Sequence, residues 1–256
     1  QIPVYAYGMM LKRKNIEELI PEFKDESAKI KDKNFHAIKM KIGMGPKKDI
    51  KLVQAVRESI GDDIKLMVDA NHTYTSAEAF YVGRALEEYN VYWFEEPIAP
   101  EDYDGYKELK TNLKINIAAG EAEFTRWGWN HLLKNRCIDI AQPEVCGLGG
   151  ISEYLKILAL AHTNFVPVVN HVWGSALSIA VNLHLLTAMP DMPGGLFPWK
   201  SMLEFDTTPK NSFITDLMEE DFSIFDQVKT NGHAKAPEGH GIGITPNKDF
   251  IKKFEI

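Results

Sequence analysis

Cysteine is scarce in this chain: Cys137 and Cys146 are the only two in 256 residues. Two thiols cannot build a disulfide framework, and neither stands in a CxxC or His/Cys spacing suited to zinc. Both read as small apolar residues in a reducing compartment, so a cytoplasmic protein is expected. Also lacking are an apolar run long enough to span a bilayer and a charged-then-apolar leader, so no membrane partner is expected. Positive charge is in deficit, with 29 Lys and Arg against 36 Asp and Glu, a net charge of −7 and a pI near 5.7. Without a clustered basic stripe, that balance argues against a nucleic-acid surface. There is no initiator methionine either. Gln1 runs straight into the strand-like IPVYAYGMM, so the chain is expected to be a fragment.

What is present is an ordinary globular composition, 45% hydrophobic and 25% charged, at a length suited to one large α/β domain. Eight short apolar or β-branched runs read as strands: 3–9, 36–43, 64–71, 91–97, 115–121, 138–144, 165–172 and 201–206. Amphipathic stretches lie between them. One ends at Gly61 and another starts at a Thr75/Ser76 cap. Eight strands, seven followed by a helix, fit a closed barrel or a long doubly wound sheet. Past residue 210 the rhythm stops, so residues 1–210 are expected to form the catalytic barrel and 211–256 a C-terminal extension. EGHGIGI (238–244) reads as a turn.

The run HAIKMKIG poses the first functional question. Strand alternation puts Lys39 and Lys41 on one face, with Ile38, Met40 and Ile42 on the other. An exposed edge strand is the structural alternative, since lysine there blocks aggregation. The other runs favour a functional answer. Asp69, Glu95, Glu121, Glu144, His171 and Glu204 each stand at or near the carboxyl end of a different run. The steps 69→95 and 95→121 are both 26 residues, about one βα repeat. In a barrel such ends form a single ring at the catalytic face, whereas in an open sheet many would be too far apart to meet.

Asp69, Glu95 and Glu121 form an oxygen-only set suited to a hard divalent cation, Mg²⁺ with Mn²⁺ as the alternative, and ill suited to zinc. Three unpaired carboxylates would repel one another, and a bound cation would relieve that. Lys39 and Lys41, as neighbouring like charges, are expected to depress each other's pKa toward the range of a general base. His171 is a second base, with Glu144 placed to orient its ring. Two bases beside one cation suit removal of a proton α to a carboxylate, with the cation stabilising the enediolate.

The ordered set KMK, VDAN, WFEEP, AGE, QPE…GLGG, NHVWG and LEF resembles the mandelate racemase subgroup of the enolase superfamily over nearly the whole chain. Within it, DANHTYT, WFEEPIAPED, HVWGSA and MLEFDTT look most similar to galactarolactone and 3,6-anhydrogalactonate cycloisomerases. The resemblance implies a modified TIM barrel, (β/α)₇β, with Asp69, Glu95 and Glu121 as metal ligands. It implies Lys41 as one base, Lys39 as a contact to the substrate carboxylate, and His171 paired with Glu144 as the second acid/base. Glu204 matches the eighth-strand carboxylate that hydrogen-bonds substrate or its developing oxyanion. Two departures stand out. Glu144 occupies a position where the family usually has Asp, and the family's N-terminal capping domain is expected to be missing from this chain. The stretch from about 211 resembles the segment that returns to that cap.

Other signals are weaker. CGLGGIS (146–152) has Ser152 where a dinucleotide fingerprint needs its third glycine, so it reads as a tight βα turn. Asn71 and His72 follow a ligand directly and are candidates to reach substrate. Trp173 is either rim packing or a pocket wall. His36, His131, His162, His184, His233 and His240 lack metal spacing. The expectation is an isomerase or lyase acting on a small carboxylate, by elimination from a sugar acid, with a homo-oligomer covering the exposed barrel mouth. Racemisation by the same bases, or a non-catalytic barrel fragment, are the alternatives.

Overall fold

The computed structural model describes residues 1–190, 192, 199–207, 212–220 and 223–255. Seven parallel strands form one curled sheet: β1 (Ile2–Gly8), β2 (Ala37–Lys41), β3 (Lys65–Asp69), β4 (Val91–Glu95), β5 (Asn116–Ala119), β6 (Ile140–Ala141) and β7 (Leu203–Asp206). Their order is β6-β5-β4-β3-β2-β1-β7, so each strand from β1 to β6 lies beside its sequence neighbour. β2 is internal, flanked by β1 and β3, and the edge-strand alternative for its lysines is excluded.

The seventh run, 165–172, departs from expectation because it is barely a strand. It joins β6 through one bridge, Ala141 to Val168, with the Ala141 amide donating to the Pro167 carbonyl at 2.9 Å. Pro167 has no N–H to return, which keeps the ladder from extending. Pro143 does the same to β6, which stops after two residues. The gap between this run and β7 is spanned by a side chain, with the Val172 amide donating to Glu204 Oε2 at 2.9 Å.

The barrel interior is layered. Tyr5, Ala37, Met67, Trp93, Ala118, Ile140, Val169 and Met202, one from each of the eight runs, pack into a core separate from the outer one. Tyr5 and Trp93 meet edge to face at 5.5 Å between centroids. Truncating a fully buried Trp93 to alanine costs about 3–5 kcal/mol in such a setting. Two residues further along most runs the same face turns ionisable: Lys39, Asp69, Glu95, His171 and Glu204. Period-2 alternation thus builds an apolar plug and sets the charged layer on top of it.

Helices α1 (Ile16–Lys31), α2 (Pro46–Ile60), α3 (Ser76–Glu88), α4 (Tyr103–Asn112), α5 (Thr125–Lys134), α6 (Ile151–Thr163) and α7 (Ala176–Ala188) connect the runs. Their apolar faces pack on the outward face of the sheet, where Ile38, Met40, Val68 and Phe94 lie in the larger core. Helix α2 ends at Gly61, φ 76°, and α3 starts on a Thr75/Glu78 capping box, both where the sequence put them. CGLGGIS is a turn leading into α6, and residues 238–244 form turns and bends. Among the described residues no helix is long and apolar enough to cross a membrane.

The expected boundary at residue 210 lies outside the described residues. Beyond it come α8 (Ser212–Thr215), α9 (Ile224–Asn231), β8 (His233–Ala234) and α10 (Lys248–Lys252). β8 went unforeseen, since two residues carry no periodicity. It pairs antiparallel with the start of β1, Ile2 opposite Ala234 and Pro3 opposite His233. This segment therefore folds back onto the barrel.

Candidate active site

A cleft at the carboxyl ends of the strands is lined by Lys39, Lys41, Asp69, Asn71, Glu121, His171 and Glu204, with Trp173 at its rim, 63% exposed. β2 and β3 are in register Lys41 to Asp69, and β4 continues it to Glu95. Lys41 donates to Asp69 Oδ2 and to Asn71 Oδ1. Asn71 takes a left-handed backbone, φ 39°, and its amide donates to Asp69 Oδ1 at 2.9 Å.

Lys39 lies beneath, 1% exposed, with Nζ 2.5 Å from both Glu95 Oε1 and Glu204 Oε1 and 3.8 Å from Asp69 Oδ2. Here the like-charge expectation fails. Burial does oppose the Lys39 ammonium, but the Glu204, Glu95 and Asp69 carboxylates outweigh it and hold its pKa well above the ordinary value. The triad is also not unpaired as the sequence suggested, since both lysines contact it. Glu95 is fully engaged: Oε2 accepts from Trp93 Nε1 at 2.9 Å and from Gln142 Nε2 at 2.7 Å. Both oxygens of Glu204 are held as well, one by Lys39 and one by the Val172 amide.

Glu121 breaks the alternation. Gly120, φ 139°, turns the chain where a Cβ would lie 2.3 Å from buried Trp129, and Glu121 comes round beside His171, Oε2 to Nε2 3.1 Å. The other ring nitrogen, Nδ1, lies 2.9 Å from Glu144 Oε2, so the extra methylene of Glu144 still allows the contact. The second Glu144 oxygen accepts the Cys146 amide at 2.9 Å. Burial opposes charging of the His171 imidazole. The Glu144 hydrogen bond and the Glu204 and Glu121 carboxylates reverse that, raising its pKa to about 9.

Asp69, Glu95 and Glu121 offer ligand oxygens within 4.8 Å of one another. Burial, with neighbouring carboxylates adding to it, lifts Glu95 to about 8 and raises Glu121 too. Three carboxylates crowded together, two of them buried, form an all-oxygen set that fits a hard divalent cation. His72 lies at the edge of this group: its Nε2 is 2.9 Å from Glu96 Oε2 and its Nδ1 3.3 Å from the Ile98 carbonyl, and His72, Glu96 and Glu121 also offer ligand atoms within 4.8 Å of one another.

Three participants escaped sequence reasoning. Tyr7 lines the cleft with its ring 5.1 Å from both lysine ammoniums; the Tyr5/Tyr7 alternation in β1 was its only signal. Gln142 shares the inward face of Ile140 two residues on. Glu96 is buried, φ 42°, and was masked by Glu95 beside it.

A family model described as "Enolase C-terminal domain-like" matches residues 22–250. The D-galactarolactone cycloisomerase of Agrobacterium fabrum is 37% identical over 255 residues, covering 100% of this chain and 65% of that protein. The arabinonate dehydratase of Saccharolobus solfataricus is 34% identical, covering 97% of this chain and 62% of that one. Among solved structures, the 3,6-anhydro-D-galactonate cycloisomerase from Zobellia galactanivorans superimposes with a TM-score of 0.82 at 36% identity, over 99% of this chain and 66% of its own. A racemase from Streptomyces coelicolor A3(2) with bound magnesium gives 0.81 at 26% identity, over 98% and 62%. The chain thus spans about two thirds of the length of the relatives it matches. Family match, barrel and strand-end carboxylates agree: this chain belongs to the enolase C-terminal domain-like family and carries its modified TIM-barrel fold.

Proposed function

We propose that this chain supplies the barrel of an enzyme that removes the proton α to the carboxylate of a sugar acid and then expels a β-oxygen. The observation that carries this reading is the placement of Lys41 and His171 at the two ends of one carboxylate triad, Lys41 on Asp69 and His171 beside Glu121, in a single cleft. The names of the relatives, sugar-acid cycloisomerases and dehydratases, support the same reaction class. Asp69, Glu95 and Glu121 would hold Mg²⁺, or Mn²⁺, whose charge stabilises the enediolate oxygens.

Lys41, as the neutral amine, takes the α-proton and becomes an ammonium, and the C–H electron pair enters the enediolate. That pair then forms the double bond as the β-C–O bond breaks. His171 in its protonated form, favoured by the Glu144 hydrogen bond and the Glu204 and Glu121 carboxylates, gives its proton to the departing oxygen. If that oxygen belongs to a ring, the ring opens and the product is an isomer; if it is a hydroxyl, water leaves. Glu144 fixes the imidazole orientation, and Asn71 fixes the Lys41 ammonium. Lys39 places a permanent positive charge under the reacting carboxylate, and Glu204 anchors it. Trp173 stands as a wall at the rim. A capping domain, which the resemblance implies, would exclude water and select the substrate.

Bases at opposite ends of the triad also suit racemisation, which needs no leaving group. Acid sugars and their lactones, incubated with the chain and Mg²⁺ in D₂O, decide the matter. Deuterium at the α-carbon together with loss of the β-oxygen is expected. Deuterium with inversion and no loss favours racemisation. No exchange from any acid contradicts the proposal.

A further inference from the structure

Asp49 is a carboxylate the chemistry above does not use, and it is wholly buried. It lies in the first turn of α2, outside the cleft. Oδ1 accepts two backbone amides, Gly43 and Met44, each at 3.0 Å. Oδ2 accepts the Tyr74 hydroxyl at 2.7 Å. Gly43 and Met44 belong to the loop that leaves β2 just after Lys41. Tyr74 belongs to the loop that leaves β3 after Asp69 and Asn71. One buried side chain therefore ties together the two loops whose residues meet in the cleft.

The position of this tie matters because the ladder has already ended. The last main-chain bond between the two strands runs from the Ile42 amide to the Asp69 carbonyl, 2.9 Å. Beyond it the loops touch through side chains: a Cβ on Gly43, φ 137°, would lie 2.8 Å from Thr73 Oγ1. Lys41 reaches across this junction to Asp69 and Asn71. A slip of one loop against the other moves the ammonium relative to both partners, and misplacement by about 1 Å can cost on the order of 100-fold in rate. We infer that Asp49 and Tyr74 form a clamp that positions Lys41 against Asp69 and Asn71. Asp49 is thus a positioning residue for the base, acting through the loop rather than on substrate.

The inference rests on the reading of Lys41 as a base, and its test separates the two. Tyr74→Phe removes only the link between the loops, leaving Asp49 on its two amides. Asp49→Asn keeps an oxygen for those amides while removing the charge, so at least one of the pair is expected to fold. With an acid sugar that the parent exchanges, Tyr74→Phe should lower kcat for α-proton exchange about tenfold with KM within about twofold. Adding Asp49→Asn to it should cost little more, because both changes break one clamp. A purely structural role would lower the melting midpoint and leave kcat, measured well below it, unmoved. Folded Tyr74→Phe with kcat within about twofold of the parent, or losses that multiply in the double variant, overturn the clamp.

If the parent exchanges no acid sugar, the functional reading fails, and the clamp is read separately. The acylation rate of the Lys41 amine by acetic anhydride, relative to exposed Lys47 in the same chain, is followed by mass spectrometry. A severalfold change in Tyr74→Phe supports the clamp; an unchanged ratio overturns it.

Discussion

Lys41 and His171 face one cleft, yet the main chain holds the first and side chains hold the second. Lys41, Asp69 and Glu95 end three strands that are paired in register at those ends, so backbone hydrogen bonds set their spacing. His171 ends a run with a single bridge to the sheet, and its ring is aimed by Glu144 on one side and Glu121 on the other. A ladder survives the loss of any one side chain. A ring held by two carboxylates does not. The difference predicts one arm whose strand placement tolerates substitution around it, the Asp49–Tyr74 clamp apart, and one that fails at a single neighbour.

The largest effect is expected where the two arms share a residue set, at the carboxylate triad. Glu95→Gln should weaken Mg²⁺ binding by at least the ~100-fold that loss of an outer partner can cost, read by calorimetry on metal-free protein. Unchanged affinity would remove the cation from the account. A smaller and one-sided effect is expected from Glu144→Ala. Exchange carried by His171 should fall about 10- to 100-fold while exchange carried by Lys41 stays near the parent rate. Equal losses in both would mean the arms are not independent.

The smallest effect is on stability. The pKa of His171 in the fold, about 9, lies above the ~6.5 of an unfolded chain. Its protonation therefore stabilises the metal-free protein fully below about pH 6.5, and that contribution is lost as pH rises through about 9. Glu95, lifted to about 8, loses stability over part of the same window, so the comparison must be between variants. The pH–stability profile of His171→Asn should be flatter than the parent's between 6.5 and 9. Parallel profiles would mean Glu144 and Glu121 do not hold a charged ring.

The same division explains what could be read from sequence. Asp69, Glu95 and the paired lysines were legible because alternation and a 26-residue repeat are local properties of a laddered strand. The seventh run has the composition of an ordinary strand, and Pro167 is the local signal that its ladder does not extend. Partner choice was not legible at all. Nothing near Lys39 in sequence announces Glu204, which reverses the expected direction of its pKa. Adjacency to Asp69 does not announce the partner of His72 either: the left-handed turn at Asn71 and His72 sets its ring against Glu96, beside Glu121.

The central claim is that two bases serve one cation from opposite ends, and α-proton exchange in D₂O tests it most directly. Lys41→Ala and His171→Asn are compared on two acid sugars of opposite configuration at the α-carbon. On the substrate whose α-carbon faces the lysine, His171→Asn should retain exchange and Lys41→Ala should lose it. The opposite configuration should reverse that pattern. Exchange as fast as the parent in both variants, on both substrates, would contradict the account.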